Sequence, residues 1–314
     1  MIERLAAIAA AALLATGCAT APPPPGSLSF ALMGDLPYNA GEELRFEELL
    51  RQVDADASLA FALHVGDFKG GGIPCSDALF AKRRAQFDAS RHPFFFVPGD
   101  NEWVDCRLPS NGGADALERL ARLRQLFFAQ PSSLGQRRLA VRAQSACIAP
   151  AIEGCGCNAH PENLAWSLGT VAFVSLNLPG SENNLGFDAV NDAEARCRDA
   201  ANGHWLSAAV DRALEAQASE LVVFVQANPW WSLHRGHEPF LAQLQSAAAR
   251  FRRPVLLVHG DTHTWRVDYP LPGITRVETY GSPFVGWVKV TIAPGDPVPF
   301  RFEGRFIALV PRSF

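Results

Sequence analysis

Apolar segments of strand length alternate along this chain with segments in which apolar residues recur at helical spacing. The first kind predicts buried strands at 27–35, 58–67, 93–100, 220–228 and 254–261. The second kind predicts helices at 41–53, 76–89, 114–128, 191–217 and 238–250. Because strands and helices alternate, we expect an α/β fold in which helices cover a buried sheet.

The other segments fit the same architecture. Residues 165–178 predict a β-hairpin that turns at Gly169 and Thr170. Residues 129–163 are rich in Gly, Pro and Cys and predict an inserted loop. The tail at 275–306 is rich in β-branched and aromatic residues and predicts closing strands of a sheet. No low-complexity linker interrupts residues 28–314, so we expect a single domain there.

The N-terminus is expected to be an export signal. Arg4 precedes an apolar run, Leu5 to Ala15, which is shorter than the about 20 residues of a membrane-spanning helix but fits a signal peptide. The Cys that follows resembles the lipidated Cys of a bacterial lipobox. We therefore expect a lipoprotein-type signal peptide at 1–17 and lipidation at Cys18. An ordinary signal peptide, cleaved near Ala19 or Ala21, is the alternative.

The lipid anchor would be joined to the domain by a Pro-rich spacer at 18–27. The four prolines from Pro22 to Pro25 favour an extended polyproline conformation there. These features predict an exported protein of a bacterial cell envelope, either periplasmic or attached to the membrane through its lipid. The net charge of −4, the pI near 6.1 and the scattered basic clusters give no reason to expect a nucleic-acid partner.

Four predicted strands end in the dipeptide Gly-Asp. The pairs are Gly34-Asp35, Gly66-Asp67, Gly99-Asp100 and Gly260-Asp261. In open α/β sheets the carboxyl ends of the strands form the ligand-binding crevice, and Gly permits a sharp turn there. A single Asp at such a position is most often a turn or cap residue. Four carboxylates in one crevice repel one another and need a compensating cation, so the pattern favours a metal site.

Other well-known catalytic patterns are absent from the sequence. It has no phosphate-binding G-x-x-x-x-G-K-[ST] loop, no G-x-G-x-x-G after a strand and no G-x-S-x-G nucleophile elbow.

His263 follows Asp261 by two residues and adds a nitrogen ligand to the same loop.

In order and strand context, these motifs resemble the calcineurin-like metallophosphoesterase superfamily over about residues 28–290. The matching segments are Asp35-Leu36-Pro37 for D-x-H, Gly66-Asp67 with Gly70 for G-D-x-x-[DN], Gly99-Asp100-Asn101-Glu102 for G-N-H-[DE], and Gly260-Asp261-Thr262-His263 for G-H-x-H. Several histidines of the pattern are replaced here, by Pro37, Asn101 and Asp261. In another motif of the family, a strand ends in a His. The corresponding strand end of this chain has no His and offers the side-chain amide of Gln226 or Asn228 instead.

The resemblance implies a layered αββα sandwich with mixed central sheets between helices, and hydrolysis of a small phosphoester substrate. It assigns Asp35, Asp67 and His263 to one metal ion, and Asp67, Asp100, Asp261 and Asn228 to a second. Asn101 takes the position of the catalytic His and can bind a phosphate oxygen, but it cannot act as an acid. The oxygen-rich ligand set favours Mn²⁺, Mg²⁺ or Ca²⁺, as one ion or two.

The altered histidines leave two functions open. The retained carboxylates favour an enzyme with a remodelled metal site, and the missing histidines favour an inactive envelope lipoprotein that uses the scaffold for binding. A leaving-group acid would have to come from elsewhere, and the candidates by position are His64, His234, His237 and His259, each of which could equally be a buried structural histidine. Glu102 and Trp103 could shape the pocket, and Arg266 could bind phosphate or form a surface ion pair.

The cysteines predict disulfides. If Cys18 carries lipid, an even number remains, which in an oxidising compartment favours pairing. A metal site at Cys155 and Cys157 is disfavoured because a single residue between two cysteines is poor spacing for zinc ligands. Cys75 and Cys106 each follow a strand-end Asp by a few residues, so both should lie at one rim. We therefore predict a Cys75–Cys106 disulfide.

Overall fold

The computed structural model describes residues 24, 26–144, 155, 159–231, 233 and 235–308. The predicted signal peptide, the lipidation site Cys18 and the candidate His234 lie outside these residues. Two cysteines, Cys147 and Cys157, also lie outside them.

Twelve strands and six helices are assigned in the described residues. The strands are β1 (Leu28–Met33), β2 (Leu59–His64), β3 (Phe94–Phe96), β4 (Arg142–Gln144), β5 (His160–Leu168), β6 (Val171–Ser175), β7 (Glu220–Phe224), β8 (Val255–His259), β9 (Arg266–Leu271), β10 (Ile274–Glu278), β11 (Gly286–Ile292) and β12 (Phe300–Phe306). The helices are α1 (Ala40–Ala55), α2 (Asp77–Ala89), α3 (Ala116–Phe127), α4 (Gly180–Asn183), α5 (Ala189–Glu215) and α6 (Glu238–Phe251). Side chains of Asn39, Ser76, Asp115 and Asp188 cap the starts of α1, α2, α3 and α5.

The strands form two mixed sheets. The first has the order β12-β11-β1-β2-β3, in which β1, β2 and β3 are parallel and β11 and β12 are antiparallel to their neighbours. The second has the order β4-β5-β6-β7-β8-β10-β9, with β6, β7, β8 and β10 parallel. The hairpin predicted at 165–178 is present, because β5 and β6 pair antiparallel.

The two sheets pack face to face through aromatic side chains. Phe61 of β2 lies 4.8 Å from Phe30 of β1 and 5.3 Å from Phe173 of β6, between ring centroids. Helix α1 covers the first sheet with Phe46, Leu49 and Val53, and helices α5 and α6 cover the second. This order of layers confirms the predicted αββα sandwich.

The structure refines two sequence predictions. Residues 129–163, expected to be a loop, include β4 and the start of β5. The tail does not close one sheet but serves both, since β10 joins β8 in the second sheet while β11 joins β1 in the first.

Two disulfides link described cysteines. Cys75 and Cys106 form the predicted pair, with Cα atoms 5.7 Å apart, and Cys155 pairs with Cys197. Among the described helices, none has both the length and the apolar character needed to cross a membrane.

Candidate active site

The four predicted aspartates lie just beyond the carboxyl ends of four strands. Asp35 and Asp67 follow β1 and β2, Asp100 follows β3, and Asp261 follows β8 of the other sheet. The site therefore spans the adjoining edges of the two sheets. The backbone N–H of Asp261 donates to both carboxylate oxygens of Asp35, at 3.0 and 3.1 Å, and so connects the two sheets at this point.

In the four Gly-Asp pairs, left-handed backbone is found at three of the aspartates but at only one of the glycines. Asp35, Asp67 and Asp261 have φ values of 53°, 56° and 83°, and His263 has 56°. Such left-handed residues other than Gly cost of order 1–3 kcal/mol each and cluster at functional sites. The expectation that Gly supplies the sharp turn holds only for Gly66, whose φ is 87°.

The other three glycines are required because there is no room for a side chain. A Cβ on Gly99 would collide with Asp67 Oδ1, and one on Gly260 would collide with Asp35 Oδ2. A Cβ on Gly34 would lie 2.6 Å from a methyl of Val65. The Gly-Asp pairs thus allow the carboxylates to lie directly against neighbouring backbone.

Asp67 is held by the segment that follows β3. The backbone N–H of Asn101 donates to its Oδ1 at 3.1 Å, and the Asn101 side-chain amide donates to its Oδ2 at 3.2 Å. Glu102, fully buried, accepts hydrogen bonds from the backbone N–H groups of Asp67 and Gly99. Glu102 therefore fixes the backbone of two strand-end turns and has a positioning role.

His263 presents one ring nitrogen to the aspartates. Its Nδ1 lies 2.7 Å from the carbonyl oxygen of Ser282, which requires that Nδ1 carry the proton. In the neutral ring Nε2 is an acceptor; it lies 4.0 Å from Asp35 Oδ1 and 3.3 Å from the hydroxyl of Tyr38. A backbone carbonyl that fixes the tautomer in this way is typical of metal-ligating histidines.

Asp100 and Asp261 approach each other across α4. A Cβ on Gly180 would lie 2.9 Å from an oxygen of each carboxylate. The Ser181 hydroxyl donates to Asp100 Oδ2 at 2.7 Å, while the buried Asp100 Oδ1 has no hydrogen-bond partner among the described residues. An unpartnered buried carboxylate oxygen costs free energy, and a bound cation would fit at this position.

The predicted ligand Asn228 supports Asp261 through its backbone, whose N–H donates to Asp261 Oδ2 at 2.8 Å. Its side-chain oxygen accepts from the backbone N–H of Trp230 at 3.2 Å, and its amide nitrogen faces Thr262. The other amide considered, Gln226, accepts from the N–H of Gly180 at 2.7 Å. Both side-chain oxygens are therefore engaged with backbone donors.

Burial and mutual repulsion make these carboxyls hard to ionise. Burial, followed by the charge of Asp261, raises the pKa of Asp35 well above its usual range. Burial, followed by the charge of Asp100, does the same for the pKa values of Asp67 and Asp261. Burial also raises the pKa of Glu102 to about 7. A cation bound among them would relieve this cost.

The donor chemistry fits a hard divalent cation, although the side chains are not arranged as a finished site. Within the described residues, no group of three or more His, Cys, Asp or Glu is placed so that it could hold a metal ion. The fit rests on the unpartnered Asp100 Oδ1, on the inward-facing His263 Nε2 and on oxygen donors that suit such ions.

The histidines named as candidate acids are structural wherever they are described. Burial lowers the pKa of both His64 and His259 to about 3, so neither is an imidazolium that could act as a general acid near neutral pH. His64 contacts the carbonyl of Leu36, and His237 contacts that of Pro179 at 2.9 Å. Arg266 lies 3.7 Å from Glu278, which favours the ion-pair interpretation. Trp103 is fully buried.

Three residues at the site were not found by sequence reasoning. Tyr38 contacts Asp67, Asn101 and His263 through its hydroxyl. Lys69 is fully buried with its ammonium on the carbonyl of Gly70, and burial lowers its pKa although Glu102 and Asp67 are near. Ser181 contacts Asp100. No pattern in the sequence distinguishes Tyr38 from other loop tyrosines.

Comparison with known proteins identifies the fold. No protein-family model matches the chain, and a search of curated proteins gave no match. A dimetal phosphatase from Danio rerio is similar over 90% of this chain and 96% of its own, with a TM-score of 0.52 and 14% identity. GAP50, the anchor in the inner membrane complex of Plasmodium, is similar over 90% and 89%, with a TM-score of 0.48 and 13% identity.

A 5'-nucleotidase from Candida albicans is also similar, over 90% of this chain and 52% of its own, with a TM-score of 0.45 and 10% identity. The similarity to the dimetal phosphatase shows that the two chains share a fold, in agreement with the layered αββα sandwich predicted above.

Proposed function

We propose that this chain is a metal-dependent hydrolase of phosphoester bonds with an oxygen-rich, remodelled site. The observation that carries the proposal is the convergence of Asp35, Asp67, Asp100 and Asp261 beside His263. The cluster is largely buried, and all of its members except Asp100 have left-handed backbone. A structural role alone gives no reason to keep so many repelling carboxyls together in strained backbone.

The proposed ligands are those assigned from the motifs. Asp35, Asp67 and His263 would hold one ion, and Asp67, Asp100 and Asp261 a second; Asn228 would join the second only if its oxygen left Trp230. A bound divalent ion supplies charge neutralisation on phosphoryl oxygens and a more acidic water. Mn²⁺, Mg²⁺ and Ca²⁺ suit these donors best.

The chain's own residues have defined tasks in this proposal. Asn101 keeps both oxygens of Asp67 in place and offers an uncharged amide to a phosphate oxygen. Glu102 fixes the turns that carry Asp67 and Gly99. The Cys75–Cys106 disulfide ties together the loops that follow Asp67 and Asp100.

Hydrolysis of nitrophenyl phosphate, as monoester and as diester, tests the proposal with and without Mn²⁺. We expect metal-dependent turnover in the wild type, loss of it in Asp67→Ala, and retention in Asp211→Ala, whose carboxylate lies on the surface with Arg250. Turnover that is insensitive both to a chelator and to Asp67→Ala would rule the proposal out.

A non-catalytic binding protein is the second candidate. Pro37 and Asn101 favour it, because they stand where the family pattern has histidines. In that case the protein would bind metal or phosphate without turnover of either nitrophenyl substrate.

We further propose that the chain is an envelope lipoprotein anchored at Cys18. Leu28 begins β1 and Asp35 follows its other end, so an N-terminal anchor would attach to the domain at the end opposite the aspartates. The site would then open away from the anchor. Incorporation of labelled palmitate into the wild type, and its loss in Cys18→Ser, tests this; equal labelling of the two would exclude lipidation at Cys18.

A further inference from the structure

Departures from the family pattern converge on Tyr38. Tyr38 directly follows Pro37, which takes the place of a family histidine. A Cβ on Gly70, where the pattern has Asp or Asn, would lie 3.0 Å from both Cβ and Cγ of Tyr38. The side-chain amide of Asn101, which replaces the catalytic histidine, donates to the Tyr38 hydroxyl at 3.2 Å. The Tyr38 ring thus lies where a side chain at position 70 would extend, and its hydroxyl reaches Asn101.

The Tyr38 side chain is held rigidly. Its backbone N–H donates to Glu42 at 2.7 Å, and Glu42 also accepts from Asn39 and from the hydroxyl of Ser282. Its ring meets that of His263 edge-on, with centroids 5.2 Å apart. A group whose position is fixed by packing and by such supporting bonds is preorganised for a function at its free end.

The hydroxyl at the end of the Tyr38 ring makes only long hydrogen bonds. Asp67 Oδ2 and His263 Nε2, both acceptors, lie 3.3 Å away. Since the usual O–H···O distance is about 2.7–2.8 Å, neither is a short hydrogen bond. The phenol proton is therefore available to a stronger acceptor that enters between these groups.

We propose that Tyr38 is a further catalytic residue, whose hydroxyl donates a hydrogen bond to a phosphoryl oxygen of the substrate and, with Asn101, takes over from the missing histidines. This inference rests on the proposed function. Tyrosine and asparagine are neutral donors, and the cation Lys69 is buried with its ammonium on Gly70.

The test compares Tyr38→Phe with Tyr269→Phe, a matched change at an exposed tyrosine of β9. Calorimetry would measure the affinity for inorganic phosphate in the metal-loaded protein, and the affinity for Mn²⁺ separately. A hydrogen bond to a charged acceptor contributes about 1.5–3 kcal/mol, so Tyr38→Phe should weaken phosphate binding by roughly tenfold or more. Mn²⁺ affinity should change much less than phosphate affinity, because the Tyr38 hydroxyl makes only long contacts, at 3.3 Å, with the proposed ligands Asp67 and His263.

The outcomes separate this inference from the proposed function. If the wild type hydrolyses nitrophenyl phosphate but Tyr38→Phe binds phosphate as tightly as Tyr269→Phe does, Tyr38 makes no substrate contact and only this inference fails. If Tyr38→Phe loses Mn²⁺ affinity in parallel, Tyr38 acts on the metal and the inference is also wrong. If the wild type neither binds phosphate nor shows turnover, both fail.

Discussion

Asn101 contacts both carboxylate oxygens of Asp67, through its backbone N–H at 3.1 Å and its side-chain amide at 3.2 Å. The residue stands where the family pattern has a histidine that handles a proton. In this chain the position instead supplies two uncharged donors to the carboxylate that would bridge two ions. The site therefore keeps its central carboxylate well supported while it lacks a proton donor at the usual place.

Replacing that donor by a carboxylate gives the first prediction. Asn101→Asp preserves shape but puts a second acidic oxygen beside Asp67 Oδ2. We expect the metal-free variant to lose about 1–3 kcal/mol of unfolding free energy at pH 7, because an amide donor to Asp67 is lost and a further buried carboxyl that resists ionisation is added. Urea denaturation at pH 7 and pH 4 measures this loss of unfolding free energy. The loss should shrink towards pH 4, and an equal loss at both values would contradict the explanation.

The buried carboxyls predict how the stability of the metal-free protein depends on pH. Their pKa values are raised in the folded state, so the folded chain holds protons that the unfolded chain releases, and stability falls as pH rises. Below about pH 6.5, the ordinary histidine pKa, His64 and His259 contribute in the opposite direction, because burial lowers their pKa values to about 3.

The clear window therefore lies above pH 6.5, where each carboxyl that stays protonated in the folded chain costs about 1.4 kcal/mol per pH unit. Thermal unfolding in chelator should show a falling midpoint across this window, and Mn²⁺ should restore most of the loss at the upper end. A midpoint that is level or rises in chelator would show that these groups ionise freely in the folded state.

The strand-end aspartates could be predicted from the sequence because the signal is local. A buried segment that ends in Gly-Asp marks a strand end, and parallel strands bring their ends together. The location of Asp35, Asp67 and Asp100 at one edge of the first sheet follows from that rule, whereas Asp261 joins them from the second sheet. The division of the tail between the two sheets could not be predicted by that rule. The pairing of β11 with β1 joins residues at opposite ends of the chain.

Tyr38 could not be predicted because its contacts are not local. Its partners Asp67, Asn101 and His263 lie 29, 63 and 225 residues away, and a tyrosine in a loop has no distinctive pattern. The same holds for α4, where Ser181 and Glu182, together with Asn183 and Asn184, all have left-handed backbone. Such a turn is set by tertiary contacts, including the bond from Ser181 to Asp100.

The Cys75–Cys106 disulfide predicts both a stability effect and a site effect. It closes a loop with a sequence separation of 31, for which chain entropy gives about 3–4 kcal/mol. The double variant Cys75→Ser/Cys106→Ser should lose stability of that order in urea denaturation and should also bind Mn²⁺ more weakly. The control, Cys155→Ser/Cys197→Ser, should lose stability without the metal effect, and an equal metal effect would show that Cys75 and Cys106 have no special role at the site.

An ion pair between α1 and α2 predicts acid sensitivity away from the site. Burial alone would raise the pKa of Glu43, but hydrogen bonds from Arg83 and Lys82 outweigh it and lower the pKa to about 2. Its contribution is present above the ordinary pKa of 4.5 and is lost as pH falls towards 2. Glu43→Gln should therefore cost about 1–3 kcal/mol at pH 7 and much less near pH 2, as measured by urea denaturation. Glu47→Gln, on the exposed face of α1, should change little at either pH, and a Glu43→Gln cost that persists at pH 2 would point to packing instead.

The central claim is that the aspartate cluster binds a catalytic divalent cation through Asp67. The most direct measurement is elemental analysis of wild-type protein purified without a histidine tag, alongside Asp67→Ala and the surface control Asp211→Ala, with phosphoester hydrolysis assayed on the same samples. The account predicts a bound divalent metal and turnover in the wild type and in Asp211→Ala, and loss of both in Asp67→Ala. Metal content and activity that are unchanged in Asp67→Ala would contradict it.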